Sequence, residues 1–360
     1  MNICITGDTN FFGEVFEQSS SKEMIKVDSF YNADFRVVNL EQAISENDYL
    51  EDKYTIFSDK RCIPYIKDAK IDIASLANNH IHDKGKDGII ETLEILKENN
   101  IVTCGAGKNI IEAQQATAIG DNICILSFCD YGKHYLRNVC CATEESPGVN
   151  PYSLENVLEA LDKLPEQMNA IVYIHWCVEY CWLVPYDYIP EVKKILAHPK
   201  TAIVLGTHPH IPLGWMEENG KHAFFSLGNF VFPNFSIRPS HQIFEASKED
   251  RKNFKSMRIL CSVKKNTHKK WYFINRVSIL VFFDSASRKV QWEYTIQDDE
   301  QPIVRKLTST RKRIVHIFLG MISQIYKLPR VLYIPMYSLN LYGLYAVRKI
   351  KRIWLNLLAI

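Results

Sequence analysis

At 360 residues, 47% hydrophobic and 23% charged, the chain has the composition of a folded globular protein, which excludes a disordered or low-complexity reading and leaves room for one large α/β domain or two smaller ones. The formal net charge of +2 conceals an asymmetry: residues 301–360 hold eleven Lys and Arg and no Asp or Glu, so residues 1–300 carry 32 basic against 41 acidic groups, near −9. The ten cysteines form no C-x-x-C pair, the nearest approaches being Cys140-Cys141 and Cys177 with Cys181; with a strand at the very start and no signal-peptide pattern, a zinc ribbon is disfavoured and reduced, packing cysteines in a cytoplasmic protein are expected.

Asn2 to Gly7 reads as a short buried strand closed by a tight turn at Gly7-Asp8, which leaves Asp8 either as a ligand at the strand end or as the cap of Phe11 to Gln18. Phe35 to Leu40 repeats the scheme, and strand alternation points Asn39 and Glu41 the same way. A helix from Ile63 to Lys70 feeds the apolar strand Ile71 to Leu76. That strand runs into Leu76-Ala77-Asn78-Asn79-His80-Ile81-His82-Asp83-Lys84-Gly85, a polar turn ahead of a helix from Lys86 to Asn100. Ligands collect beyond the carboxyl ends of strands in α/β proteins, so this turn is a candidate site, although Asn78 and Asn79 also suit the bonding of a turn to its own backbone.

Val102 to Cys104 ends in Gly105-Ala106-Gly107, which lacks the rest of a dinucleotide fingerprint. Ile123 to Phe128 is a strand followed by an irregular stretch to Asn150 with Tyr131, His134 and Arg137, either substrate contacts or plain surface. Ser153 to Leu164 is a helix capped by Ser153. Ala170 to Ile174 is a strand ending at His175-Trp176, Tyr188 to Ala197 a helix, and Ala202 to Gly206 a strand running into His208-Pro209-His210. Ala223 to Leu227 closes on Gly228-Asn229-Phe230. Met257 to Gln297 is strand-like, with turns at Asn266 and Ser285 to Ser287.

Asp8, Glu41, Asn79, His80, His175, His208 and His210 thus all sit at strand ends. Each alone is ordinary; five strands delivering O or N ligands to their ends point to a metal site. An extended His-Pro-His places both imidazoles on one face. Mixed carboxylate, Asn and imidazole donors suit a divalent ion such as Mn, Fe or Zn, one or two in number, and do not choose among them.

The chain resembles the bacterial capsule synthesis proteins of the CapA/PgsA type (poly-gamma-glutamate biosynthesis), which share the calcineurin-like metallophosphoesterase architecture. Over roughly residues 1–235 the matching motifs fall in the family's order: Gly7-Asp8, Asn39-Leu40-Glu41, Leu76-Ala77-Asn78-Asn79-His80 with Asp83 and Gly85, Gly105-Ala106-Gly107, His175-Trp176 with Glu179-Tyr180, Gly206 with His208-Pro209-His210, and Ser226-Leu227-Gly228-Asn229-Phe230. The resemblance implies an α/β metallophosphoesterase-like sandwich of two mixed β-sheets flanked by helices, expected over residues 1–300, while the charge pattern reads residues 301–360 as a basic helical tail. The resemblance also implies Asp8, Glu41, Asn79, His175, His208 and His210 as metal ligands and His80 as proton donor. Asn39, Asn78, Asp83 and Asn229 would contact substrate or support the ligands, with Glu179 orienting His175. Three departures stand out. Cys177 replaces the usual Gly after His-Trp and would bring a thiolate near the site; Asp8-Thr9-Asn10 replaces Asp-x-His, costing a second metal one imidazole; and the N-terminal membrane anchor common among poly-gamma-glutamate members is not expected here, so their polymer is not carried over as substrate.

Residues 301–360 mix Arg305-Lys306, Arg311-Lys312-Arg313, Arg348-Lys349 and Lys351-Arg352 with Ile, Leu, Tyr and Trp354. Such a segment suits an interfacial helix on anionic lipid, or a helical layer on the acidic body. Its longest uncharged run, Val331 to Val347, is 17 residues and falls short of a span. No nucleic-acid recognition module is present, and none is expected as a partner. The sequence therefore leads to a metal-dependent, phosphoesterase-like hydrolase, peripheral at the inner membrane, working with capsule or exopolysaccharide biosynthesis machinery. A non-catalytic accessory subunit of a polymer synthase stays open as the alternative.

Overall fold

The computed structural model describes residues 1–51, 53–132, 136, 138–237 and 267–357. His134, Arg137 and the stretch 257–266, including the turn expected at Asn266, lie outside them. The strands and helices that position the site are, in chain order, β1 (Asn2–Thr9), β2 (Ile25–Lys26), β3 (Phe35–Leu40), α1 (Ile63–Asp68), β4 (Ile73–Ser75), α2 (Gly85–Glu98), β5 (Val102–Cys104), β6 (Thr117–Ile119), β7 (Ile123–Cys129), α3 (Leu154–Asp162), β8 (Asn169–His175), α4 (Tyr188–Ala197), β9 (Thr201–Thr207), β10 (Trp215–Glu218), β11 (Lys221–Phe224), β12 (Asn229–Val231), β13 (Val277–Asp284), β14 (Val290–Gln297), β15 (Val304–Lys306), α5 (Ser309–Ile325) and α6 (Arg330–Leu357).

Two mixed sheets form the body, as expected of a metallophosphoesterase-like sandwich. The larger runs β2-β15-β14-β13-β1-β3-β4-β5, and β12 also pairs with β1; the smaller runs β10-β11-β9-β8-β7-β6. Strand alternation sorts the side chains. From β1, Ile3 and Ile5 meet Ile125, Ile171, Tyr173 and Val204 of the smaller sheet in one core, while Cys4 faces the other way into a second core with Phe30, Ile66, Ile89 and Leu96. β13 divides identically, with Ile279 and Val281 inward and Leu280 outward. The Tyr173 hydroxyl donates to the Thr6 carbonyl across the sandwich. Ser153 caps α3 as expected, its Oγ accepting from Asn156 N at 3.0 Å.

Gly7 makes no turn. β1 continues to Thr9, parallel to β3, with a register irregularity between Ile5 and Asp8. On its other edge β13 pairs antiparallel with Asn2 to Ile5 and β12 then pairs parallel with Asp8 and Thr9. The Gly228 carbonyl accepts from Asp8 N at 2.9 Å, and a Cβ on Gly7 would lie 1.8 Å from that oxygen. The glycine is required by close approach of two backbones. Phe11 to Gln18 is no capped helix either: only a 3-10 turn at Gly13–Glu17 forms, with no side-chain cap, which leaves Asp8 to the site.

Residues 301–360, expected as a helical tail, begin with a strand: β15 pairs with β14 and β2 in the larger sheet. One face of α5 then packs on the body through Val315, Leu319 and Ile322, with Tyr326 just beyond its end. Asn340 of α6 accepts from Leu183 N at 3.1 Å, and the Tyr333 hydroxyl donates to the Val184 carbonyl at 2.7 Å, tying α6 to the loop after β8. Among the described residues no helix is long and apolar enough to cross a membrane.

Candidate metal centre

The carboxyl ends of β1, β3, β8 and β9 and the turn after β4 converge on Glu41. Its carboxylate is fully buried and neither oxygen has a hydrogen-bond partner. Around Oε1 stand three imidazole Nε2 atoms, of His210 at 3.8 Å and of His80 and His175 at 3.9 Å each, too far for hydrogen bonds. Burial first, then Asp8, Glu179 and Asp83, pushes the Glu41 carboxyl well above the usual range. An anion-forming group so placed, ringed by nitrogens, fits a cation.

Asp8 and His175 are held by one residue. Asn39 Nδ2 lies 2.7 Å from Asp8 Oδ1 and 3.2 Å from His175 Nδ1, while Asn39 Oδ1 accepts from Asn78 Nδ2 at 3.3 Å. Asn78 also donates to the Leu40 carbonyl at 2.9 Å and accepts from His80 N at 3.0 Å, so it serves both its own turn and the centre. His175 Nδ1 is 3.0 Å from Thr207 Oγ1, and its Nε2 is 2.8 Å from Asn79 Oδ1. Thr207 and Asn39 thus orient His175. Glu179 is half-buried, and its charge raises the groups at Glu41 and His208.

His208 and His210 do not form an extended pair. Their φ angles are 95° and 54°, both left-handed. β9 stops at Thr207 and the chain turns at once, because His208 N is drawn to Asp8 Oδ2, 3.2 Å away. Both rings nonetheless reach the centre, with centroids 6.1 Å apart. His208 is fully buried with neither ring nitrogen partnered, and burial lowers it to about 4. Burial and the neighbouring His208 and His210 also hold His175 well below its ordinary value, keeping its nitrogens available as donors to a metal. His210 Nδ1 is 2.9 Å from Asn229 Oδ1 and 3.4 Å from Asp8 Oδ2.

Two overlapping sets therefore have ligand atoms within 4.8 Å of one another: Glu41 with His175 and His208, and Asp8 and Glu41 with His210. These buried O and N donors could hold a divalent ion, and the orphaned atoms of Glu41 and His208 fit one. Beside them, His80 Nδ1 lies 2.6 Å from Asp83 Oδ2, and Lys53 Nζ lies 2.6 Å from Asp83 Oδ1. Burial would raise Asp83, but His80 and Lys53 bring it below the usual carboxylate range. Burial lowers His80, with Asp83 opposing; the carboxylate partner assigns the ring proton to Nδ1.

Cys177 has φ 72°, a conformation that favours Gly, which accounts for the loop tolerating either residue at some strain. Its thiol is buried, burial pushes it well above its ordinary value, and it belongs to neither set of clustered ligand atoms. Asn10, in its hydrogen-bonding orientation, donates from Nδ2 to the Glu41 carbonyl at 2.6 Å, giving the position a backbone-holding role. Gly105 is also a packing glycine: a Cβ there would meet Ala77 and Ser127 side chains under 3 Å. Thr207, Lys53 and the aromatic wall of Phe232 and Trp271 beside His210, with ring centroids at 5.2 and 5.4 Å, went unnoticed in the sequence. Thr207 directly precedes the His-Pro-His motif and was discoverable; Lys53 and Trp271 lie in stretches without any pattern.

The family described as bacterial capsule synthesis protein PGA_cap matches residues 7–234. Over 181 residues, 49% of this chain and 46% of the relative, the sequence is 29% identical to the PGA biosynthesis protein CapA of Bacillus subtilis (strain 168). Over 175 residues, 46% of this chain and 41% of the relative, it is 29% identical to the capsule biosynthesis protein CapA of Bacillus anthracis. The matches thus span less than half the length of these curated relatives. Among solved structures, TT1561 of Thermus thermophilus aligns with 12% identity and a TM-score of 0.36 over 65% of this chain and 93% of that one. Matching the family over more than half of its length, with the motif residues gathered at the strand ends, the chain belongs to the bacterial capsule synthesis protein family PGA_cap.

Proposed function

We propose that the protein is a metal-dependent hydrolase of phosphoesterase type, acting in the biosynthesis of a capsule, exopolysaccharide or poly-gamma-glutamate-type polymer at the inner membrane surface. The observation that carries the chemistry is the Glu41 carboxylate, buried, unpartnered and facing three imidazole Nε2 atoms at 3.8–3.9 Å. The biosynthetic setting is supported by the family and by the two CapA relatives, one a PGA and the other a capsule biosynthesis protein.

Asp8, Glu41, Asn79, His175, His208 and His210 would hold one or two ions of Mn, Fe or Zn. Such an ion polarises a phosphoryl oxygen as a Lewis acid. Asn39 fixes the Asp8 carboxylate and the His175 ring in one geometry, and Asn229 fixes His210. His80 keeps one proton at Nδ1 for Asp83, so Nε2, after taking up a second proton from water, is the atom that would pass it to a leaving oxygen. Lys53 neutralises Asp83 from the far side, which keeps the Asp83 charge from being left unpaired in the interior.

Elemental analysis of the purified wild type and of His208→Ala/His210→Ala, with a chromogenic phosphodiester assay on the same samples, tests this. Near-stoichiometric metal in the wild type, lost with the activity in the variant, is the expected result. A wild type that neither carries nor takes up Mn, Fe or Zn would overturn it. Retained metal without turnover would favour an accessory subunit of a polymer synthase.

A further inference from the structure

α5 is apolar on two faces. Val315, Leu319 and Ile322 pack into the core, while Ile314, Ile317, Phe318 and Met321 form a second stripe at helical spacing with exposures of 62, 54, 39 and 62%. α6, the next helix, likewise exposes Val331 at 76%, Leu332 at 55%, Leu339 at 76% and Tyr342 at 61%. Exposed aliphatic and aromatic side chains on two consecutive helices exceed what a solvated face carries without purpose.

The surrounding charge has one sign. Arg311, Lys312 and Arg313 head the α5 stripe, and Lys327 and Arg330 sit at the corner between the helices, all exposed. Among the described residues none of these five pairs with a carboxylate, and no Asp or Glu occurs anywhere after Glu300. Further along α6 the sequence adds Arg348, Lys349, Lys351 and Arg352. A second copy of the chain would bring an equally basic, acid-free face against this one, and like charges would oppose each other across the contact.

We propose that the outward face of α5 and α6 docks in the plane of an anionic lipid bilayer, the apolar stripe entering the headgroup boundary and the flanking Arg and Lys engaging lipid phosphates. The docking face deepens the membrane-surface part of the reading above and is independent of the chemistry at Glu41. Because Asn340 and Tyr333 of the same helix hold the backbone of Leu183 and Val184, the docked helix is fixed to the loop that follows His175.

Sedimentation of the full chain with vesicles of phosphatidylcholine alone, and of equal parts phosphatidylcholine and phosphatidylglycerol, tests the face without reference to activity. Binding to the anionic vesicles is expected, at least tenfold stronger than to neutral ones and weakened by salt. Arg311→Glu/Lys312→Glu/Arg313→Glu should lower it by roughly a hundredfold. Ile317→Glu/Met321→Glu and Leu339→Glu should lower it by at least tenfold. These side chains are exposed, so unchanged thermal unfolding of each variant shows that the loss is not one of folding. Equal binding to both vesicle types, or binding to neither, would overturn the proposal. So would a wild-type dimer dispersed by Ile317→Glu/Met321→Glu without vesicle binding, which would make the face a contact between copies.

Discussion

Gly7 and Gly228 meet backbone to backbone: the Cβ that any other residue would add at position 7 falls 1.8 Å from the Gly228 carbonyl oxygen. That oxygen also accepts from Asp8 N, so the contact that forbids a side chain at Gly7 places Asp8. Gly7→Ala must separate β1 from the segment entering β12. It is expected to destabilise the protein by about 3 kcal/mol or more and to lose metal in parallel, checked by urea denaturation and elemental analysis. A variant with wild-type stability and metal content would show that the two backbones part easily.

Removing a charge at Glu41 should change the sign of its effect with metal. In chelator, the wild type buries Glu41 beside Asp8 with no cation to compensate, so Glu41→Gln is expected to be at least as stable. With metal at a hundred times its dissociation constant, the wild type gains about 2.7 kcal/mol that the variant lacks. Thermal unfolding of both proteins with and without chelator measures the crossing. Parallel shifts in the two proteins would remove Glu41 from the metal's coordination.

His82 supplies an acid dependence. Burial, with Lys53 adding to it, lowers the ring from its ordinary 6.5 to about 3. The unfolded chain takes up a proton near 6.5 that the folded chain refuses until about 3, so the stability linked to His82 is complete above 6.5, falls with pH, and is gone below 3. The loss amounts to several kcal/mol by order of magnitude. In chemical denaturation from pH 7 to 4, His82→Asn should show a flatter pH dependence than the wild type; identical slopes would exclude His82 as its source.

The left-handed backbone at Cys177 allows a substitution series. Cys177→Gly relieves strain of about 1 kcal/mol but gives up a small buried side chain, so it should be near neutral. Cys177→Val adds a β-branched residue at φ 72° and should cost about 2 kcal/mol or more. Metal content should stay unchanged in the Gly variant, since the thiol belongs to neither set of clustered ligand atoms. A Cys177→Gly protein that loses metal would restore a ligand role for sulfur.

Much of this was legible beforehand because strand ends advertise themselves. Apolar runs at β1, β3, β8 and β9 stop at Asp8, Asn39, His175 and His208, and a polar residue at the end of a buried strand needs a partner. Two kinds of information were not. Backbone sign was one: Gly7 reads as a turn glycine and His208-Pro209-His210 as an extended pair, yet the first sits in a strand and both histidines are left-handed, because backbone contacts with Gly228 and Asp8 decide the path. Remote pairing was the other. Nothing local in the sequence shows that β12 and β13 share an edge of β1, that Lys53 backs Asp83, or that Trp271 lies against His210. The basic segment after residue 300 was recognisable by charge, while its strand and its packed face depend on where the larger sheet ends.

The placement of β1 between strands from opposite ends of the chain sets a timetable. β1 can pair early with β3, but its other edge stays open until residues 229–231 and 277–284 have followed. Such long-range closure is slow compared with local helix formation. Asp8 and His210 are some two hundred residues apart and cannot cooperate until both have been made, so the donor set comes together late in the synthesis of this stretch of chain. A product ending between β12 and β13 would carry Asp8, Glu41, Asn79, His175, His208 and His210 and still leave the Asn2 to Ile5 edge of β1 without its β13 partner.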